Sequence, residues 1–254
     1  MPTDYSAQEM MIVAAAREIR DREVVFVGMR LPLAAYAVAR LTHAPNAVGL
    51  FECGLQRDAP ARETLYTMGD PPNQEGAMWA TGTCQVMGML PRGRVDIGFI
   101  GGAEVDRYGN VNTSYIGGVT APKVKLPGSG GAADIAAMAH RLLVVMRHEK
   151  RRLVERVDYV TTPGYLDGGD SRAAAGLGRG GPAALITDLA ILRPRPPENA
   201  LCLASWHPGC EVAEIIANTG WALEVLPQAG ETPAPTAAEL AALRRVDSEG
   251  FWRR

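Results

Sequence analysis

An open α/β fold, a mostly parallel sheet flanked by helices with β-hairpin additions, is what this sequence predicts, and three observations carry it. Residues 23–51 read as strand, helix, strand: Glu23–Val27 (EVVFV) ends at Gly28, Pro32 opens a helix through Leu41, and Ala47–Phe51 (AVGLF) is apolar again. Such a unit makes a parallel strand pair. A small-residue helix over Ala132–His140 then runs into the continuous apolar stretch Leu142–Met146, a further α/β step. Finally, Asp106-Arg107-Tyr108-Gly109-Asn110 is a turn sequence between the apolar runs Val95–Ile100 and Val111–Ile116, which adds a hairpin and makes the sheet mixed.

The remaining elements follow in order. Ser6 and Glu9 form an S-x-x-E capping box, and apolar residues recur at helical spacing up to Arg20. Residues 54–94, rich in Gly, Pro, Met and Thr, read as long loops with one short helix near Glu75–Thr81, and loops of that length carry function. Beyond Met146, strands are expected at Asp158–Thr162, Ala183–Thr187 and Leu201–Ala204, then a helix over Glu211–Asn218 with Gly220 placed to end it. Residues 227–236 (PQAGETPAPT) read as a Pro-rich linker to a last helix, Ala237–Arg245. The whole is expected to be a single domain over 1–254.

Composition narrows the function. With 26 Lys plus Arg against 28 Asp plus Glu the net charge is −2, so no basic excess is available for a nucleic-acid backbone. The most apolar stretch, Val24–Ala39, is broken by Arg30 and Pro32 and falls short of the roughly 20 residues that span a bilayer. The start, MPTDYSAQEM, lacks the basic and apolar regions of a secretory signal, and the expected location is the cytoplasm. Four cysteines (53, 84, 202, 210) contain no C-x-x-C pair, and the four histidines (43, 140, 148, 207) are far apart. Neither a metal site nor a Ser-His-Asp relay is indicated, and each histidine reads as a surface or packing residue.

Glu52 carries the most chemical weight. It closes an apolar strand and is followed by Cys53-Gly54, which puts a carboxylate at the carboxyl edge of a parallel strand, where open α/β sheets bind ligands. There it could attack an activated acyl carbon to form an anhydride; the other reading is a surface acid or helix N-cap partner. Cys53, with no assignable His base, reads as a small buried side chain. Gly128-Ser129-Gly130-Gly131 opens a helix and could hold a phosphate or developing oxyanion, or simply pack loop against helix. Gly128-x-Gly130-x-x-Ala133 also imitates a dinucleotide fingerprint, but Lys123-Val124-Lys125-Leu126-Pro127 before it is a poor buried strand. Gly176-x-Gly178-x-x-Gly181 reads as a plain loop. The stretch from Gly101 to Asn112 is read as a strand end plus a turn whose Asn side chains satisfy local backbone groups. The run Arg147–Arg152 fits either cofactor phosphates or a solvated or subunit-contacting face.

Taken in order, these pieces resemble the β subunits of family I CoA-transferases, of the glutaconate CoA-transferase kind, over nearly the whole chain. The markers are Val27-Gly28 with Leu31-Pro32, Ala44-Pro45, Glu52-x-Gly54-Leu55, Ile100-Gly-Gly-Ala103 through Asp106-x-Tyr108-Gly109-Asn110-Val111-Asn112, Gly128-Ser129-Gly130-Gly131, His148-Glu149-Lys150-Arg151-Arg152 and Thr162-Pro163-Gly164. The resemblance implies an α-type partner subunit in an α2β2 assembly, an active site at the α/β contact, coenzyme A as substrate and no metal. It matches Glu52 to the catalytic glutamate that forms a glutamyl-CoA thioester, and the Gly128–Gly131 loop to the one lining the CoA and oxyanion region, with Gly101 and Gly102 near it. Arg30 stands where the glutaconate enzyme has glycine, Cys53 replaces a serine, and the loops over 56–90 follow the family loosely. Arg30 and Cys53 are therefore expected on the substrate side, with a different acid, a dicarboxylate or a related acyl group, in use. Two alternatives stay open: a hydrolase or decarboxylase of the same fold acting on acyl-CoA, against which the presence of Glu52 favours transfer, and a non-catalytic metabolite-sensing domain. A homomeric assembly is also open.

Overall fold

The computed structural model describes residues 4–253; the two ends of the domain expected over 1–254, residues 1–3 and 254, lie outside the described residues. Two compact units are present, residues 4–99 with 234–253, and residues 100–233.

In the first unit the chain runs through α1 (Ala7–Arg17), β1 (Val24–Phe26), α2 (Leu31–Leu41), β2 (Val48–Phe51), β3 (Leu55–Arg57), α3 (Pro71–Gln74), β4 (Trp79–Ala80), α4 (Thr83–Met87) and β5 (Ile97–Ile100), whose last residue opens the second unit. The strand order is β5-β1-β2-β3-β4. β1 is parallel to both neighbours, with Phe26 opposite Leu50 and Gly98, so the expected strand–helix–strand unit is present. β3 and β4 are antiparallel additions. Val25, Phe26, Leu50 and Phe51 are buried, as unbroken apolar strands in the middle of an α/β sheet must be.

The second unit contains β6 (Glu104–Asp106), β7 (Val111–Asn112), β8 (Tyr115–Gly118), β9 (Ala121–Lys125), α5 (Ala132–Met138), β10 (Arg141–Val145), β11 (Leu153–Val154), α6 (Ser171–Ala174), β12 (Pro182–Ile186), β13 (Ala190–Arg195), β14 (Ala200–Trp206), α7 (Val212–Ala217) and β15 (Val225–Glu231). Its main strands follow the order β15-β14-β13-β12-β10, parallel at β10–β12 and β14–β15 and antiparallel between. A hairpin does form across Asp106–Asn110, but it joins β6 to β7 rather than the runs Val95–Ile100 and Val111–Ile116, and with β11 it makes a separate three-stranded sheet; the run 111–116 divides between β7 and β8, and β8 with β9 makes another hairpin.

The chain then returns to the first unit as α8 (Ala237–Val246). Both α1 and α8 begin with a reciprocal capping box, Ser6 with Glu9 and Thr236 with Glu239, which satisfies backbone donors that a helix start leaves open. Two ion pairs join these helices, Arg17 Nε to Glu239 Oε1 at 2.7 Å and Arg244 Nε to Glu9 Oε1 at 3.0 Å.

Several expected elements differ, each for a local reason. No helix covers Glu75–Thr81: the Met78 and Thr81 N–H groups donate to the Gln56 and Gly54 carbonyls, so this stretch turns and pairs with β3 as β4. Asp158–Thr162 is not a strand beyond one bridge from Thr162 to Val111, because the Asp158 N–H donates to the Glu104 carboxylate and Pro163 follows. β13 has no strand signal in the sequence because Pro194 and two arginines interrupt its apolar run; β12 pairs only with Ile191 and Leu192, so the proline sits where no partner on that side needs its N–H. The linker expected over 227–236 is strand β15 as far as Glu231, an edge strand on which Pro227 is tolerated. Gly220 is no helix cap either. α7 ends at Ala217 with Asn218 as its C-cap, and a Cβ on Gly220 would lie 2.3 Å from the Leu153 carbonyl oxygen, so its smallness serves a close approach.

Candidate active site

Glu52 leaves the carboxyl end of β2 at the first position of a three-residue reversal. Phe51 pairs with Leu55, and the Gly54 N–H donates to the Phe51 carbonyl at 2.9 Å. Such a turn needs its last residue at positive φ, and Gly54 has φ 102°. The tip is also pressed against β4's continuation: the Thr81 N–H donates to Gly54 O at 2.8 Å, and a Cβ on Gly54 would stand 2.1 Å from Thr81 O. The apolar strand thus ends in a half-buried carboxylate on a turn that only glycine can close.

Cys53 is exposed, which corrects the small buried side chain expected there. Its sulfur donates to the Met68 carbonyl at 3.2 Å. Desolvation of that sulfur, with the neighbouring Glu52 charge adding to it, pushes the thiol above its ordinary range and keeps it protonated at neutral pH. Arg30, also exposed, occupies the N-cap position of α2 with φ 72° and ψ −126°.

Sequence reasoning missed the groups that shape the loop beside Glu52. The buried Arg57 donates to the carbonyls of Ala59 at 3.0 Å, Asn73 at 2.5 Å and Glu75 at 2.7 Å, and so clamps the 58–75 loop from inside. Tyr36 supports it from α2, its hydroxyl donating to Arg57 O at 2.8 Å and accepting from Gly49 N–H at 3.0 Å. Burial pushes the Tyr36 phenol up to about 12. Read as loop, residues 54–94 carry no sequence signal for the clamp; the strand that turns Arg57 inward, β3, appears only in the fold.

In the second unit, Gly101 is exposed and Gly102 half-buried, and a Cβ on Gly102 would meet Val111 Cγ1 at 2.2 Å. Gly128 and Gly130 have φ 99° and 49°; the Gly128 N–H donates to Thr113 O at 2.8 Å, while Ser129 and Gly130 are exposed and, among the described residues, their N–H groups have no protein acceptor. Gly131 is buried. The turn reading of Asp106–Asn112 describes a dense polar core. Asp106 Oδ1 accepts from Tyr108 N–H and Asn110 N–H, Asn110 Oδ1 accepts from Gly164 and Leu166 N–H at 2.8 and 3.0 Å, and Asn112 Nδ2 donates to Glu104 at 2.7 Å. In the basic run, Glu149 accepts from Arg151 at 2.6 Å and Arg152 at 3.2 Å, and His148 is buried between the Thr187 and Thr219 hydroxyls. Among the described residues no three His, Cys, Asp or Glu side chains form a group that could hold a metal ion, and no helix is long and apolar enough to cross a membrane.

The fold and site define a class: an open α/β protein with a carboxylate at the carboxyl end of a parallel strand, the edge at which such sheets bind ligands. The comparisons with known proteins make the class specific: the coenzyme A transferase family matches residues 8–218, and the chain belongs to that family. It is a CoA-transferase enzyme. The B subunit of the 3-oxoadipate CoA-transferase of Pseudomonas knackmussii is 42% identical over 96% of this chain and 94% of its own length. The B subunit of the glutaconate CoA-transferase of Acidaminococcus fermentans is 36% identical over 98% of this chain and 94% of its own. The crystal structure of that enzyme superposes with a TM-score of 0.92 at 33% identity, covering 99% of this chain and 98% of the other. The decarboxylase AibA/AibB superposes with a TM-score of 0.85 at 30% identity, covering 98% and 97%.

Proposed function

We propose that this chain is the catalytic β-type subunit of a cytoplasmic, heteromeric CoA-transferase, joined to an α-type partner as α2β2, that moves CoA between dicarboxylic or related acids through Glu52. Three features support the assembly, the substrates and the compartment in turn: the relatives are B subunits, 3-oxoadipate and glutaconate are both dicarboxylic acids, and four free cysteines suit a reducing compartment.

The observation that carries the mechanism is the placement of Glu52 at the carboxyl edge of β2 on the Gly54 turn. In the proposed reaction the Glu52 carboxylate attacks the thioester carbonyl of an acyl-CoA, forming an acyl-glutamyl anhydride as the C–S bond breaks and CoA leaves as thiolate. The thiolate attacks the Glu52 carbonyl; the anhydride C–O bond breaks, the first acid departs as carboxylate, and Glu52 is left as a CoA thioester. An acceptor carboxylate runs the same steps backward. Every step exchanges one leaving group for one nucleophile, so kinetics are ping-pong and no proton need be taken from water. Cys53, held as a thiol, does not compete with Glu52 for the acyl carbon. The exposed Ser129 and Gly130 amides, with Gly101 and Gly102, are proposed contacts for coenzyme A, and Arg30 and Cys53 for the acyl substrate.

The test is mass spectrometry of the chain, alone and with its α-type partner, after acyl-CoA addition and borohydride reduction. A reduced Glu52 seen only with the partner is the expected result, and Glu52→Gln should abolish it and lower turnover by at least about 10⁴-fold. The decarboxylase AibA/AibB motivates the second reading: CoA or CO2 release with Glu52 unmodified across a panel of acyl-CoAs would establish hydrolysis or decarboxylation instead.

A further inference from the structure

Arg30 holds a backbone conformation that side chains avoid. Its φ of 72° and ψ of −126° lie where glycine moves freely and other residues are strained. This is also the position at which the resemblance places a glycine, so the conformation suits the residue that Arg30 replaces. The side chain is exposed and, among the described residues, makes no hydrogen bond or ion pair, with Glu52 or any other acid.

The location gives the strain a use. β1 and β2 are adjacent and parallel, Phe26 stands opposite Leu50, and the Val27 N–H donates to Leu50 O at 2.8 Å. Gly28 is pressed against Phe99, where a Cβ would lie 2.5 Å from the carbonyl oxygen, so the chain leaves β1 tightly and turns at Met29-Arg30 into α2. Arg30 lies four residues beyond Phe26, and Glu52 two beyond Leu50. One sheet edge therefore carries, on neighbouring strand ends, the proposed nucleophile and an unpaired guanidinium.

We infer that Arg30 is a specificity-determining residue that pairs with the far carboxylate of a dicarboxylic acyl group while the near carbonyl meets Glu52. The inference rests on the reading of Glu52 as the covalent nucleophile. A guanidinium offers two parallel N–H donors in the plane a carboxylate needs, and a backbone locked by Gly28 and Pro32 limits the directions from which it can be presented. A monocarboxylic acyl chain of equal length leaves that charge unanswered.

The experiment uses the complex with the α-type partner and measures labelling of Glu52 by succinyl-, glutaryl- and adipyl-CoA against butyryl-, pentanoyl- and hexanoyl-CoA. The expected wild-type result is a preference for at least one diacid. Arg30→Gly and Arg30→Gln should erase it by raising the half-saturating concentration of the diacid about 10- to 100-fold, the range for a charge-assisted pair, well beyond any change for the monoacids. Arg30→Lys should retain part of the preference, and Arg30→Gly should melt no lower than wild type. That melting temperature separates lost recognition from lost folding. Labelling with no diacid preference, or with a preference that survives Arg30→Gly, overturns this inference and leaves the nucleophile standing; no labelling of Glu52 by any of the six overturns both.

Discussion

At the scale of single residues, this protein depends on positions where one atom too many cannot be accommodated. Gly54 is the clearest. Its φ of 102° disfavours any side chain, and Thr81 O occupies the place a Cβ would take. Gly54→Ala should therefore lower stability by about 2–4 kcal/mol and displace the turn that presents Glu52. Urea unfolding and Glu52 labelling measured together will check this, since a stable variant that labels normally would mean the turn adapts. The Glu52-x-Gly54 spacing was legible in the sequence because a turn residue announces itself by type. The exposure of Cys53 was not: cysteine is usually buried, and only the direction of the reversal decides otherwise.

At the scale of elements, the 58–75 loop is ordered from within by a side chain. Arg57 sits on β3, and its guanidinium meets carbonyls on both sides of the loop, a role that no periodicity records. Arg57→Met would keep much of the volume and leave those carbonyls without their donor, at a cost of about 2–4 kcal/mol. Faster proteolysis within 58–75 than elsewhere in the chain is the expected outcome, read by peptide mapping; uniform resistance would show that the loop holds without its clamp. The same logic explains the absent helix at 75–81. Local propensity allowed a helix, but the amides of Met78 and Thr81 had better acceptors on the neighbouring strand.

At the scale of the whole molecule, buried ionisable groups make the fold sensitive to acid. His148 is buried, and desolvation pulls its imidazole from its ordinary 6.5 to about 4, only partly opposed by the charge of Asp188, with His207 adding to the lowering. The folded protein holds it neutral while the unfolded chain protonates it, so between these values unfolding takes up a proton and stability falls as pH drops. The contribution is fully present above 6.5 and is lost toward 4, about 3 kcal/mol across the window. Glu239 extends the trend. Desolvation would raise its carboxyl, but hydrogen bonds from Arg17 and Thr236 outweigh it and hold the group at about 2, so its contribution, present above its ordinary 4.5, is lost as pH falls further. Urea midpoints should decline from pH 7 to pH 4, and His148→Asn should flatten the upper part of that decline; a parallel curve would assign the acid sensitivity to other groups.

The sequence by itself determined the α/β class, the βαβ unit around residues 23–51, the capping box of α1 and the carboxylate at a strand end, because each is written in neighbours a few positions apart, where backbone geometry and apolar periodicity act directly. Tertiary structure alone decided that Pro194 could stand in a strand, that Gly220 was needed for a close approach to Leu153, and that Arg30 would hold a glycine's conformation beside the strand that carries Glu52. These depend on which carbonyl or strand arrives from elsewhere in the chain, and no local pattern encodes that arrival.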